Sequence, residues 1–579
     1  MSAKCRWLLP DGDASEAESL AQALGVRAPV AKVLWRRGYR DAAAAAQFLN
    51  PSLDELHDPF LLDGMKEAVE RLQAAIARDE RILLYGDYDV DGTTSVVILE
   101  RTIALAGGRT SYHVPHRLND GYGMRADVID RAASDGVKLI VSVDTGIRAG
   151  NVVARAREAG IDVIVTDHHL PDEELPPALA VLNPNRRDSR YPEKNLCGAG
   201  VVFKFVQAFL RALGWPDARR RWLEESFLKL VAIATVADVV PLTGENRILV
   251  RHGLAGLRSV RNPGLRALLD VAGIPEGTAP SAGQVAFRVA PRLNAAGRMA
   301  SAGDVIELLV TADADRARVL AGQLHALNQE RQQTETEIVQ TILDECSRVP
   351  VAPAQMALVF SGTNWHRGVV GIVANRLAER FHRPVFVLSG DPETGQARGS
   401  GRSIRGFHLL AAMESMAELF VEYGGHRQAA GLTIPMDRIE EFRTRMNECA
   451  AAVLSGDDLV AELEIDACLD LQEVADESVS EILSLAPFGF GNPAPVFVAR
   501  NVELASAPVV WKDRHLRIPL RQNGRTLVCK AWNFVERAGE FHPGARLDAA
   551  LTFEEDRYSL NRGYPGWSAV LRDVRPAGL

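Results

Sequence analysis

Cysteine is scarce and scattered. The six residues at 5, 197, 346, 449, 468 and 529 form no Cys-x-x-Cys pair. That excludes a clustered zinc site and a disulfide framework, and it fits a reducing compartment. Long apolar runs are also missing, since no stretch approaches the roughly 20 residues needed to cross a bilayer. The apolar part of Met1 to Pro10 is far too short for a signal peptide and leads into Asp11 and Asp13, so a cytoplasmic protein is expected. Positive charge is not in excess: the formal charge is −9 over 579 residues. This excludes a surface that is basic throughout and leaves nucleic-acid binding to a local channel or patch. With 47% apolar and 24% charged residues, the composition is that of a globular protein, too long for a single core.

The chain is organised around Leu83-Leu-Tyr-Gly-Asp-Tyr-Asp-Val-Asp-Gly-Thr-Thr-Ser95. Ile82 to Tyr85 reads as a buried strand that ends in Asp87, Asp89 and Asp91. Gly92 breaks it, and a helix is expected from Thr93. Carboxylates crowded at a strand end repel one another unless a cation neutralises them. Alone, this pattern is equally well read as a polar strand-to-helix turn.

Strand and helix then alternate. Strands are expected at Arg81 to Asp89, Ser111 to Pro115, Lys138 to Val143 and Asp162 to Val165. Helices are expected at Thr93 to Ala106, Arg125 to Ser134 and Arg148 to Ala159. Single helices between strands imply right-handed crossovers and an open parallel α/β sheet, whose sites form at the carboxyl ends of strands. Asp89, Asp91, Asp144, His168 and His169 all fall there. Asp238 follows the apolar run Leu230 to Ala237 and is costly to bury unless paired or bound to a metal. Taken singly, Asp144 reads as a turn residue, the His pair as surface histidines and Asp238 as a helix cap. Together they form a carboxylate and imidazole set without thiolate. Such a set suits two divalent cations, Mn²⁺ best and Mg²⁺ as a substitute.

Gly86-Asp-Tyr-Asp-Val-Asp-Gly92, Val143-Asp-Thr-Gly146, Thr166-Asp-His-His169 and Ala237-Asp238 resemble the four successive motifs of the DHH phosphoesterase superfamily. The length and the C-terminal half resemble its bacterial single-strand-specific exonucleases. The resemblance implies that Asp89, Asp91, Asp144, His168 and Asp238 ligate metal, with Asp144 bridging both ions. Asp87 belongs to the same motif, as a direct ligand or as support for one. It further implies that His169 faces the scissile phosphate and that Asp167 orients a histidine ring.

Farther along, Cys197-Gly-Ala-Gly200 reads as a glycine turn opening an apolar helix. Ala290-Pro-Arg-Leu-Asn-Ala-Ala-Gly-Arg298 reads as a small-residue loop whose Asn294 and Arg298 suit a phosphate. The resemblance sets this loop beside the metals. Arg298 is therefore favoured to read a terminal 5′-phosphate, with Arg117 and Arg402 as rivals and an Arg298–Asp304 pair as the structural alternative. Asp304 to about Cys346 is one long helix, polar in its middle, of the kind that bridges domains. A second small α/β unit carries two glycine-rich segments: Arg398-Gly-Ser-Gly-Arg-Ser403, with Arg398, Ser400, Arg402 and Ser403, and Gly424-Gly-His-Arg427, with Gly424, Gly425, His426 and Arg427. These look like the DHH-associated nucleic-acid-binding domain. After Pro487 come short, evenly spaced strands. From Val496 onward, 13 Lys/Arg face 9 Asp/Glu, and Trp511, Trp532, Phe534, Tyr558 and Trp567 offer stacking faces or core. That suits an OB-fold barrel for single strands.

The expected organisation is a helical lead-in (1–60), a parallel-sheet catalytic α/β domain (61–245), a helical connector with the bridging helix (246–347), a second small α/β domain (348–455) and an OB-like β-barrel (456–579). The resemblance implies a two-metal exonuclease that degrades single-stranded DNA 5′ to 3′ in recombination, recombinational repair and mismatch repair. It also implies a monomer working with a single-strand-binding protein and a helicase, and no membrane. The alternatives are a hydrolase of oligonucleotides or dinucleotides and a catalytically inactive scaffold.

Overall fold

The computed structural model describes residues 5–10, 14–117, 120–121, 123–556, 560, 563 and 565–578. The chain divides into two compact units: His57–Val240 with His252–Ala461, and Met1–Leu56 with Pro241–Arg251 and Glu462–Leu579.

The larger unit opens with five parallel strands in the order Arg109–His113, Arg81–Gly86, Val137–Val143, Asp162–Thr166, Ala180–Leu182. The inner strands are apolar almost end to end because they are covered on both faces. On one face Leu83, Tyr85 and Ile140 pack against Val128, Ile129 and Ala132 of the helix Ala126–Ser134 and Val153 of the helix Gly150–Glu158. Parallel pairing brings every strand's carboxyl end to one edge. Ala180–Leu182 escaped the sequence reading because three residues show no period.

The first strand-to-helix boundary differs from expectation. The strand stops at Gly86, and the helix Val90–Leu105 starts three residues before Thr93. Asp89 is its N-cap, accepting from the Gly92 amide at 3.0 Å, and this capping bond outcompetes continuation of the strand. Gly92 therefore sits in the first helical turn. A Cβ there would lie 2.5 Å from the Asp87 carbonyl oxygen, so only glycine lets the turn close.

Two further expectations fail in the connector. The Ala290 to Arg298 segment is a helix, Ala290–Met299, entered through a π-helical turn, Val285–Val289. Alanine and leucine, which favour helix, decide this against the local Pro and Gly. The long helix is two helices, Gly303–Val310 and Ala314–Arg348. They part at Asp313, whose side chain accepts from the amides of Asp315 and Arg316. The second helix spans 35 residues. Its end packs Ile338, Val339 and Ile342 against Val370, Val373 and Leu377 of the helix Val370–Phe381. Its polar middle is partly buried: Arg331 pairs with Glu335 at 2.9 Å and donates to Asn328 at 3.0 Å.

The second sheet runs Glu422–Gly425, Ala429–Pro435, Gln396–Arg402, Val385–Asp391, Leu358–Thr363, with only the last pair parallel. The glycine-rich segment at 398–402 is thus part of a strand. Its glycines face inward, where a Cβ at Gly399 would meet Leu388 at 2.2 Å and one at Gly401 would meet Phe386 at 2.4 Å. Alternation then puts Arg398, Ser400 and Arg402 together on the opposite face.

In the smaller unit the strands Phe497–Leu504, Arg546–Glu555, Trp567–Pro576, Arg525–Ala531 and His515–Gln522 pair in that order. The pairs Glu503–Arg521 and Leu504–Leu520 close the barrel. The lead-in helices belong to this unit: Leu20, Val30, Val33, Leu34 and Phe48 share its core with Phe497, Leu516 and Ala549. Arg247 fastens it. The guanidinium, 2% exposed, stacks over Phe48 and donates to the carbonyls of Phe48, Leu485 and Ala486 at 2.8, 2.9 and 3.0 Å. Burial, with the nearby Arg251 charge, pushes its pKa down to about 9. Arg247→Ala strands three carbonyls and is expected to cost the unit roughly 3 kcal/mol. Urea unfolding of the full chain, followed by tryptophan fluorescence, checks this. Arg247→Lys should not rescue it, because one ammonium cannot replace a planar fork.

Candidate metal centre

The carboxyl edge of the parallel sheet gathers the acidic motifs. His168 Nε2 lies 3.2 Å from Asp144 Oδ1, 3.7 Å from Asp238 Oδ2 and 3.8 Å from Asp91 Oδ2. His169 Nδ1 lies 3.9 Å from Asp144 Oδ1. The donor atoms form three overlapping groups: Asp144 with His168 and His169, Asp91 with His168 and Asp238, and Asp87 with Asp89 and Asp144. Asp144 belongs to two of them. It takes a left-handed backbone, φ 59°, held by its amide bond to the Thr166 carbonyl at 2.9 Å. This strain, about 1–3 kcal/mol, aims the carboxylate into the cluster.

Elements outside the sequence motifs hold the cluster. The helix Gly198–Ala212 points its first amides at Asp91, which accepts from Gly198 at 2.5 Å and Ala199 at 2.7 Å. The Cys197 to Gly200 turn therefore fixes a carboxylate, beyond the helix packing read from sequence. Asn183 and Asn185 donate to the carbonyls of His169 and His168 at 2.9 and 2.6 Å. They follow the short strand Ala180–Leu182, and the carboxyl-end rule would have found them had that strand been recognised. Asp238 arrives on the C-cap of the helix Asp217–Ala237 and not from a strand.

Asp167 is fully buried and ties the histidines. Its Oδ1 accepts from the His168 amide at 2.8 Å and the His169 amide at 3.1 Å, and it faces His169 Nδ1 at 2.8 Å; Oδ2 accepts from Ile147 at 3.0 Å. Burial opposes its charge, but His169 and the Ile147 amide outweigh that and hold the carboxylate below its usual range. The same pairing raises His169 against burial. Burial lowers His168.

The other acids go the opposite way. Burial, joined by Asp89, pushes Asp87 well up, and burial with the surrounding carboxylates does the same to Asp144. Asp238 is pushed up to about 9 by burial, Asp91 and Asp89. Asp87 Oδ1, Asp238 Oδ2 and His168 Nε2 are buried without a hydrogen-bond partner among the described residues. Buried acceptors that repel one another and lack donors fit divalent cations bound by oxygen and imidazole.

Arginines gather beside the acids. Arg117 lies over the Tyr88 ring at 4.8 Å. Arg298 donates to the Gly368 carbonyl at 3.1 Å and does not pair with Asp304. Burial, then the charges of Arg117, Arg331 and Arg402, push Arg298 down to about 9. Arg402 is lowered by burial and by Arg117. Arg117, Arg298 and Arg402 lie close enough for Arg298 and Arg402 to be depressed, while Arg331 is paired with Glu335, and such a group of guanidiniums suits an anion.

Other candidates are committed locally. Asn294 Oδ1 accepts from the Val90 amide at 3.2 Å and so supports the acidic loop. Ser403 donates to the Phe407 carbonyl at 2.9 Å. Gly424 and Gly425 lead into a hairpin closed by the His426 amide on the Ala429 carbonyl at 2.8 Å. His426 is exposed, and its pKa is lowered by burial of part of its ring and by the charges of Arg148 and His169. Arg398 and Arg427 are exposed.

In the smaller unit Trp511, His515 and Trp532 cluster on the barrel surface, with centroids 4.8–5.7 Å apart. Lys512 and Arg517 lie 5.0 and 5.2 Å from the Trp511 ring. Trp567 and Phe534 pack instead against the barrel core, and Tyr558 lies outside the described residues.

Residues 81–235 match the DHH family, N-terminal domain; 352–452 match the DHHA1 domain; 465–564 match the RecJ OB domain. The single-stranded-DNA-specific exonuclease RecJ of Bacillus subtilis is 36% identical over 94% of this chain and 68% of its own length. That of Escherichia coli is 38% identical over 85% and 87%. The crystal structure of RecJ in complex with Mn²⁺ from Thermus thermophilus superposes with a TM-score of 0.83 at 31% identity, over 99% of this chain and 80% of that one.

Gly198 tests the geometry. A Cβ there would lie 2.8 Å from the Asp144 Cβ. Gly198→Ala is expected to weaken Mn²⁺ binding at least tenfold, as displaced supporting groups do. Calorimetric titration, with the unfolding midpoint as control, measures it.

Proposed function

The chain belongs to the family of the single-stranded-DNA-specific exonuclease RecJ, and from that premise we propose how its residues degrade single-stranded DNA from the 5′ end. The observation that carries the reading is the largely buried, mutually repelling set Asp87, Asp89, Asp91, Asp144, His168 and Asp238, which would hold two divalent cations, Mn²⁺ or Mg²⁺. Bound there, the cations would polarise the scissile phosphate and lower the pKa of the attacking water. Asp144, shared by two donor groups, would serve both ions. The amides of Gly198 and Ala199 hold Asp91 in place.

His169 keeps its proton beside Asp167 and presents the other face of its ring to the phosphate. Asp167 does not touch substrate; it fixes the imidazole through Nδ1. Arg117, Arg298 and Arg402, with Ser400 on the same strand face, receive the terminal 5′-phosphate, and His426, Arg398 and Arg427 line the approach. The Trp511 cluster offers stacking faces for bases.

In this reading the catalytic domain (61–245), the connector (246–347), the second α/β domain (348–455) and the barrel (456–579) act in turn on one strand, and the lead-in (1–60) braces the barrel. Among the described residues no helix is long and apolar enough to cross a membrane. A monomer in the cytoplasm, with a single-strand-binding protein and a helicase as partners in recombination and repair, completes the proposal.

Asp144→Asn is expected to abolish hydrolysis of a 5′-phosphorylated strand while binding of that strand persists. Gel-based cleavage and anisotropy separate the two, and near-normal turnover would refute the bridging role. Arg298→Ala and Arg402→Ala should lose about tenfold or more on 5′-phosphorylated strands relative to 5′-hydroxyl ones, as expected for a bidentate charged contact. Equal loss on both substrates would assign these arginines to the fold alone.

A further inference from the structure

Phe287 is 82% exposed, more than any other large apolar side chain among the described residues. It buries almost nothing, so core packing does not explain it. The backbone around it is also unusual. Pro291 lacks an N–H, and its ring would crowd the Phe287 carbonyl in a regular helix. The turn Val285–Val289 widens instead, with the Ala290 amide donating to Val285. Such π turns gather at functional sites.

The turn runs straight into Ala290–Met299, the helix that carries Asn294 at the acidic loop and Arg298 in the arginine cluster. Phe287, Pro291, Asn294 and Arg298 recur at the spacing of one helix face, and each is at least partly exposed; Val289, Ala290, Leu293, Ala296 and Gly297 are buried. Phe287 therefore stands roughly 10 Å along the axis from Asn294, at about 1.5 Å per residue. Arg288 follows it in the chain and Arg292 lies on the next turn. Arg292 donates to His325 at 3.2 Å and to the Arg288 carbonyl, so its partners among the described residues are neutral. Arg288 is exposed, and its charge further depresses Arg292. An exposed ring beside cations that pair with no described carboxylate matches a nucleobase and its phosphates better than an apolar protein surface.

We infer that Phe287 is a stacking platform for a nucleobase of the substrate strand just outside the metal centre, with Arg288 and Arg292 on the adjoining phosphates. This rests on the exonuclease reading above. The ring positions the strand and takes no part in the chemistry.

The test uses the full chain with Mn²⁺ and 5′-phosphorylated single strands. Phe287→Ala should raise KM for a long strand about tenfold, within the range of one lost base stack, and far less for a dinucleotide too short to reach the ring. Phe287→Trp should restore the long-strand KM. With EDTA present to block cleavage, 2-aminopurine placed at successive positions should report stacking at one position, lost in Phe287→Ala and regained in Phe287→Trp. The unfolding midpoint should not move, since no burial is lost. An unchanged KM and fluorescence in Phe287→Ala, an equal loss on the dinucleotide, or a Trp variant no better than Ala would each overturn the inference. If the unsubstituted chain failed to degrade single strands at all, the exonuclease reading itself would fall.

Discussion

Carboxylates that cannot all stay charged without a counter-ion set the terms for the larger unit. Asp87, Asp91, Asp144 and Asp238 are buried or nearly so, and each has its pKa raised by burial and by neighbouring carboxylates. In water they would separate. Here parallel strands, a helix N-terminus and a helix C-cap hold them within reach of one another. Divalent cations bound at this edge would relieve the repulsion, which would couple metal binding to its order.

Support for the cluster comes from backbone groups more than from side chains. The amides of Gly198 and Ala199 on Asp91, of Ile147, His168 and His169 on Asp167, and of Gly92 on Asp89 are fixed by helices and turns. An amide cannot rotate away as a lysine can, so the geometry is set before any ligand arrives. Glycine is needed at Gly92 and Gly198 for the same reason, because helix and acid approach too closely for a Cβ.

Facing this negative edge is a positive one built from distant parts of the chain. Arg117 comes from the parallel-sheet region, Arg298 from the connector helix and Arg402 from the second sheet. Opposed fields of this kind suit a phosphodiester, with its scissile phosphate at the acidic edge and its next charge at the guanidiniums, as proposed above. A net charge of −9 does not exclude nucleic-acid binding, because a local cluster of positive charge such as this one decides it.

Local pattern was enough to specify the parallel sheet, the acidic motifs at its carboxyl edge, most of the long helix and the terminal barrel. Each follows from apolar runs of strand length, helical spacing, or short motifs whose residues are neighbours in the chain. The His168-His169 pair and the triple Asp at 87, 89 and 91 were legible because one turn carries each set. The remainder was settled by packing. A helix formed at 290–299, where Pro and Gly had suggested a loop, because Ala and Leu favour helix, and the glycine-rich segment formed a strand at 396–402 because its glycines pack against Phe386 and Leu388. The lead-in helices joined the barrel through Phe48 and Arg247, a contact between residues about two hundred positions apart that no local pattern encodes. Packing also set the Gly198 amide against Asp91 and brought Arg117, Arg298 and Arg402 together. Such juxtapositions depend on where whole elements pack, and side-chain periodicity carries no information about that.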